Sequence, residues 1–304
     1  MKNPFCLGAV YKTVVDGGEL EADIRVPYPK EGKPFGVKCP VFIDIPSEAG
    51  LGVSYSIINK KHNEDLVHER RYIVVSPEYR ALDPATAGSA SSLRAPIQDC
   101  RDLLAWIYDG GLQRALDAEH PGNYPVDYDH VYASGISYGG LLALSLGWNV
   151  PRPVAGILDV AGPCHLSDDQ WKASQEATSR LPSQQKHSDP SSLCLEAAPN
   201  SSIFDAATSP AANDDQLRDV DPALNVRASS SSSFPPVFIV HGTGDEMVPI
   251  GLSRRLLAQL REQGVRCELA EVEGAGHLFA SALRDSPEAL TQVRRGVDFL
   301  TAAA

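Results

Sequence analysis

Three residues of this 304-residue chain could do chemistry together: Ser137 in Gly135-Ile136-Ser137-Tyr138-Gly139, Asp245 in the stretch HGTGDEMVP, and His277 in EGAGHLF. A serine hydroxyl is a poor nucleophile unaided. It needs a base within hydrogen-bond reach, and that base needs a carboxylate to orient it. A serine, an aspartate and a histidine in this order can supply all three, and the chemistry would be attack on a carbonyl. Taken singly, each has a plainer reading: a glycine-rich turn, a turn aspartate and a surface histidine.

The elements that must position these residues strengthen the set. Residues 131–134 form a short β-prone run and 141–146 an Ala/Leu-rich helix, so Ser137 falls at a strand-to-helix turn. A strand over 236–241 precedes Asp245, and one over 266–272 precedes His277. Further strands are predicted at 9–15 and 20–26, joined by the hairpin-like turn Asp16-Gly17-Gly18, and at 40–45, 72–76 and 154–160. Helices are predicted at 59–70, 96–108, 253–263 and 286–300, the third ending at Gly264, a natural C-cap. Short apolar runs alternating with helices imply an α/β fold, a mostly parallel sheet with helices on both faces. The alternation stops between Ala161 and Phe234, a span too long for a structureless loop in a compact domain. The expected organisation is a core of 1–161 and 234–304 with a mainly helical cap, 162–233, inserted.

On these residues the chain resembles the α/β-hydrolase family, and within it the hormone-sensitive-lipase-like esterase branch, over roughly 35–300. VSPEYRALDPA (75–85) is similar to that branch's stretch after its fourth strand, and GISYGG, HGTGDEMVP and EGAGHLF to its nucleophile, acid and base motifs. The resemblance implies an α/β-hydrolase fold, Ser137 as nucleophile, His277 as general base and Asp245 as its orienter. It implies a serine hydrolase cleaving a small-molecule ester or thioester through an acyl-serine, with no metal or organic cofactor. Two alternatives keep the fold: biosynthetic lyase, cyclase or isomerase chemistry on the same three residues, and a non-catalytic ligand-binding homologue.

One departure from the branch stands out. Its His-Gly-Gly-Gly after the third strand supplies backbone donors to the oxyanion, and here Pro46-Ser47-Glu48-Ala49 occupies that position. The oxyanion hole is therefore expected from Tyr138 N–H and the backbone at Glu48 and Ala49, with Gly50 and Gly52 able to supply a shifted turn. Side chains in place of glycines crowd such a site, so weak turnover of generic aryl esters and a narrow substrate range are expected.

Composition limits the partners. A net charge of −12 makes nucleic acid and anionic membranes poor partners. No apolar run reaches the roughly 18–20 residues of a membrane span, and the N-terminal residues do not read as a secretory signal. Six scattered cysteines (Cys6, Cys39, Cys100, Cys164, Cys194 and Cys267) lack metal or disulfide spacing and are expected as free thiols in a reducing, cytoplasmic compartment. The expected partner is a small-molecule substrate; a homodimer is compatible with the sequence. Among other residues, His241 is expected to support the acid loop, Arg80 to fix a loop by pairing, and Trp171 to pack in the cap. Cys164 and His165, if extended, point to opposite sides and form no pair.

Overall fold

The computed structural model describes residues 5–27, 38–47, 60–80, 93–179, 217–228, 234–277 and 287–302. Its first strands, Cys6–Thr13 (β1) and Glu19–Arg25 (β2), alternate between exposed and covered positions, as a half-solvated antiparallel hairpin requires. The turn between them is closed by Val14 N–H donating to the Gly18 carbonyl at 2.8 Å, with Gly17 at φ 84°. Val14 and Val15 belong to this turn and not to β1, whose predicted end was 15.

The strands that follow are Cys39–Ile45 (β3), Ile73–Pro77 (β4), Val126–Ile136 (β5), Gly156–Val160 (β6), Val237–Gly242 (β7) and Cys267–Val272 (β8). Most of them are buried on both faces; β5 exposes Asp129 and His130, and the edge strand β8 is only half-buried. The sheet order is β1-β2-β4-β3-β5-β6-β7-β8. β2 meets β4 antiparallel, and all pairs from β4 to β8 are parallel. Side-chain alternation divides the core in two. Val41, Ile43, Ala133, Ile157 and Ile239 face one layer, which holds Arg94–Tyr108 (α2), Gly111–Glu119 (α3), Tyr138–Leu144 (α4) and Ile250–Glu262 (α7). Phe42, Tyr132, Leu158, Val160, Phe238 and Val240 face the other, covered by Leu66, Val67 and the helix Pro287–Thr301 (α8). Leu66 and Val67 lie in a π-helical turn, Asp65–Glu69, that continues Lys60–Glu64 (α1).

Two differences from the sequence reading have simple causes. α3 was not anticipated because Gly110-Gly111 reads as a break; Gly110, at φ 81°, does end α2, and the chain turns straight into a second helix. α7 starts at Ile250 and not at 253, because Pro249 directly precedes it with φ −58°, already suited to a helix entry. Within 162–233 the described residues are 162–179 and 217–228, which include the helices Asp169–Ser179 (α5) and Pro222–Ala228 (α6). The Asp221 carboxylate accepts from the backbone N–H groups of both His165 and Leu166, at 3.0 and 2.7 Å, and so joins the two described ends of this stretch.

Candidate active site

Ser137 sits between the end of β5 and the first residue of α4, with φ 55° and ψ −122°. A non-glycine residue in this region costs of order 1–3 kcal/mol and persists only when its surroundings enforce it. Here they do. Ser137 N–H donates to the Val160 carbonyl at 2.8 Å, and its carbonyl accepts from Gly140 N–H at 2.8 Å. The flanking glycines are sterically required. A Cβ on Gly135 would lie 2.0 Å from the Gly139 carbonyl oxygen, and one on Gly139 would lie 2.3 Å from that of Ile45. The turn holds the hydroxyl out at the carboxyl edge of the sheet, where β7 and β8 end.

Asp245 and His277, the expected acid and base, arrive at the same edge. His277 Nε2 lies 2.8 Å from Ser137 Oγ, and His277 Nδ1 lies 2.7 Å from Asp245 Oδ2. An ionised carboxylate can only accept, so Nδ1–H donates to Asp245 and Nε2 is free to accept from the serine hydroxyl. All three residues are buried, at 7–8% exposure. Burial alone would push the Asp245 carboxyl up. Hydrogen bonds from His241 and His277 outweigh it and hold the group well below the usual carboxylate range. Its other oxygen, Oδ1, accepts from Met247 and Val248 N–H at 2.9 and 2.8 Å. The acid and base loops are also tied to each other: Gly244 N–H donates to Ala275 O at 3.0 Å and Gly274 N–H to Thr243 Oγ1 at 2.7 Å.

Of the expected oxyanion-hole residues, Tyr138 is described. As the first residue of α4 its N–H is one of those that helix geometry leaves without an intrahelical acceptor. Its side chain is turned inward, 1% exposed, beside the Tyr79 ring. Glu48 and Ala49 lie outside the described residues. The chain leading to them is anchored next to the elbow, because Tyr79 Oη donates to the Pro46 carbonyl at 2.6 Å.

The other residues singled out in the sequence are placed as follows. Arg80 does fix its loop, since its backbone N–H and guanidinium both bond Asp99. Trp171 is 1% exposed and packs in the core layer around α4 and α7. Contrary to expectation, Cys164 and His165 do not lie on an extended chain, because His165 has φ 55°. Cys164 is nevertheless fully buried, and desolvation raises its thiol pKa, which makes it a poor nucleophile. The five cysteines among the described residues are free; Cys194 lies outside them. Among the described residues no group of three His, Cys, Asp or Glu side chains could hold a metal ion, and no helix is long and apolar enough to cross a membrane. Sequence reasoning missed Gln175, whose Nε2–H donates to the Met247 carbonyl at 2.9 Å, and Ser174, whose Oγ lies 3.2 Å from the same oxygen while donating to Trp171 O at 2.8 Å. A polar pair on a helix 70 residues away carries no local signal of that contact.

Comparison with known proteins is consistent with this geometry. A family model described as alpha/beta hydrolase fold matches residues 56–281. Relatives include the methylphloroacetophenone synthase of Cladonia uncialis, 25% identical across 93% of this chain and 13% of that protein. The non-reducing polyketide synthase ausA of Aspergillus calidoustus is 28% identical, again across 93% of this chain and 13% of that protein. The chain thus spans about an eighth of the length of these curated relatives. Among solved structures, a propionate-bound esterase of Thermogutta terrifontis superposes with a TM-score of 0.63 at 21% identity, covering 98% of this chain and 94% of that one. Esterase 2 of the same organism, phosphonylated by cyclosarin, superposes with a TM-score of 0.62 at 20% identity, covering 97% and 92%. At these identities the structural likeness speaks for the fold.

Proposed function

Because the chain belongs to the α/β-hydrolase fold family, we propose that it is a serine hydrolase that cleaves an ester or thioester through an acyl-serine intermediate. The observation that carries this reading is the unbroken hydrogen-bond chain Asp245–His277–Ser137, at 2.7 and 2.8 Å, ending on a strained, glycine-backed serine.

Ser137 Oγ attacks the acyl carbonyl while its proton passes to His277 Nε2. The resulting imidazolium faces the Asp245 carboxylate through Nδ1–H, and the negative charge that develops on the carbonyl oxygen is met by Tyr138 N–H. A second donor is assigned to the backbone of Glu48 and Ala49, because the chain enters that segment at Pro46, against Gly139. The tetrahedral intermediate collapses as His277 gives its proton to the leaving oxygen or sulfur. A water then repeats the sequence on the acyl-serine, with His277 as base, and releases the acid. The 162–233 stretch is assigned as a cap that shapes substrate access.

The named relatives favour a substrate class. One is a methylphloroacetophenone synthase and the other a non-reducing polyketide synthase, and a thioester is the activated form in which acyl groups are joined carbon to carbon. An acyl thioester derived from a polyketide is therefore the substrate we assign, with biosynthesis of secondary metabolites as its setting.

Active-site labelling tests the reading. Wild-type protein is expected to react with a fluorophosphonate probe and to hydrolyse acyl N-acetylcysteamine thioesters faster than matching aryl esters. Ser137→Ala is expected to lose both reactions while melting within a few degrees of wild type. Labelling that persists in Ser137→Ala would sink the assignment. So would a wild type inert to the probe and to both substrate types.

A further inference from the structure

Asp245 is held by two histidines. His241, the fifth residue of β7, places Nε2 3.1 Å from Asp245 Oδ2 and 2.8 Å from the Val248 carbonyl oxygen. Its Nδ1 lies 2.8 Å from Ser253 Oγ on α7. A carbonyl oxygen only accepts, so His241 Nε2 must carry a proton and donate; Nδ1 is then satisfied by accepting the Ser253 hydroxyl proton. As the Nε2–H tautomer the ring has every polar atom paired, in a place where its side chain and that of Asp245 are both 0% exposed. The same Oδ2 that receives His277 Nδ1–H at 2.7 Å also takes the longer arm of the His241 Nε2–H, which is shared between Val248 O at 2.8 Å and Asp245 Oδ2 at 3.1 Å.

We propose that His241 is a positioning residue of the site: a non-reacting imidazole, fixed as its Nε2–H tautomer by Ser253 and Val248, that aims Asp245 Oδ2 at His277. The inference rests on the serine-hydrolase reading given above. A buried carboxylate is free to turn about its Cβ–Cγ bond unless both oxygens are tied. Met247 and Val248 N–H tie Oδ1, and on Oδ2 the tie other than the working His277 is His241. The same bond opposes the effect of burial on Asp245 and favours its ionised form. His241 also faces Asp159 from β6 and Glu271 from β8, its cross-strand partner, which is itself bonded to Arg254 of α7. None of these carboxylates replaces the Ser253 and Val248 bonds that set the tautomer.

Three variants test this with p-nitrophenyl butyrate and a fluorophosphonate as probes. His241→Leu is expected to lower kcat about 10- to 100-fold, the equivalent of one charge-assisted hydrogen bond, with KM changed less than about threefold. His241→Gln, whose amide N–H can reach Asp245, is expected to recover most of that loss. Ser253→Ala keeps the imidazole but frees its tautomer, and should lower kcat severalfold without changing KM. Full kcat in His241→Leu, or a Gln variant as impaired as Leu at wild-type melting temperature, would overturn the proposal. If His241→Leu does not fold, the Gln and Ser253→Ala variants decide by the same criteria. A readout independent of turnover is ¹⁵N NMR of the wild type. It should show His241 as the Nε2–H tautomer, and the downfield His277 Nδ1–H proton should shift in His241→Gln. A His241 found as the Nδ1–H tautomer would overturn the inference even if the enzyme is active. A wild type inert to both probes but with the expected tautomer would instead count against the hydrolase reading.

Discussion

Gln175 Nε2 donates to the carbonyl oxygen of Met247 at 2.9 Å, which ties α5 to the loop that holds the acid. Ser174 Oγ lies 3.2 Å from that carbonyl and donates to Trp171 O at 2.8 Å. Two residues back along the loop is Asp245, whose Oδ1 takes the N–H of the same Met247. The path from α5 to Asp245 is therefore one residue long.

This contact separates two roles for the 162–233 stretch. If it serves only as a gate, weakening α5 should alter KM and substrate preference and spare kcat. The Met247 contacts lead us to expect the opposite. Gln175→Leu should lower kcat about fivefold, from a net worth near 1 kcal/mol for the one lost hydrogen bond, with KM on a small ester nearly unchanged. Steady-state kinetics on one short-chain ester decides the matter, and an unchanged kcat would return the stretch to a gating role.

The glycines of the elbow make a second prediction. Gly139→Ala would set a Cβ 2.3 Å from the Ile45 carbonyl oxygen, a backbone atom of a buried strand that cannot swing aside. Overpacking of this kind costs roughly 1–3 kcal/mol or more. Gly8→Ala is the control, because its Cβ would meet only a Glu21 carboxylate oxygen at 3.4 Å. Urea unfolding should show a large loss for the first and almost none for the second. Fluorophosphonate labelling should fail in Gly139→Ala even where the protein remains folded.

Asp159 predicts a pH dependence of stability. It lies fully buried on β6 against the first turn of α4; Oδ1 accepts Gly162 N–H at 3.0 Å, and Oδ2 has no partner among the described residues. Burial pushes its carboxyl up to about 6, against roughly 3.9 in an unfolded chain. Between these values the folded protein holds the proton and the unfolded chain has lost it. Asp159 therefore contributes a fall in stability as pH rises from about 4 to about 6, and a constant penalty above, of at most about 3 kcal/mol. Asp159→Asn should remove this slope. Denaturant titrations at pH 4.5, 6 and 8 should show the variant gaining on wild type as pH rises. A difference that stays constant with pH would rule out an ionising Asp159.

How much of this was legible in the sequence differs by element. The strands were readable because apolar runs such as PVFIDI and PVFIVH announce a strand buried on both faces, and the alternation of such runs with helices fixes a parallel sheet. Ser137 was readable because a glycine pair around a serine is a local steric requirement, met within five residues. Asp245 and His277 were readable because each follows a strand end, and parallel strands deliver their carboxyl ends to one edge. That these three side chains meet at 2.7 and 2.8 Å was decided by the tertiary structure, since residues 32 and 140 apart in sequence have no local reason to touch. The same holds for the frame around them. The second bond of His241 to Asp245 depends on where α7 places Ser253, the grip of Gln175 on Met247 depends on how α5 packs, and the buried charge site at Asp159 depends on α4 closing over β6. Sequence alone determined which residues could do the chemistry, because their constraints are local; packing determined how firmly they are aimed, because burial and long-range contacts set hydrogen-bond geometry and charge.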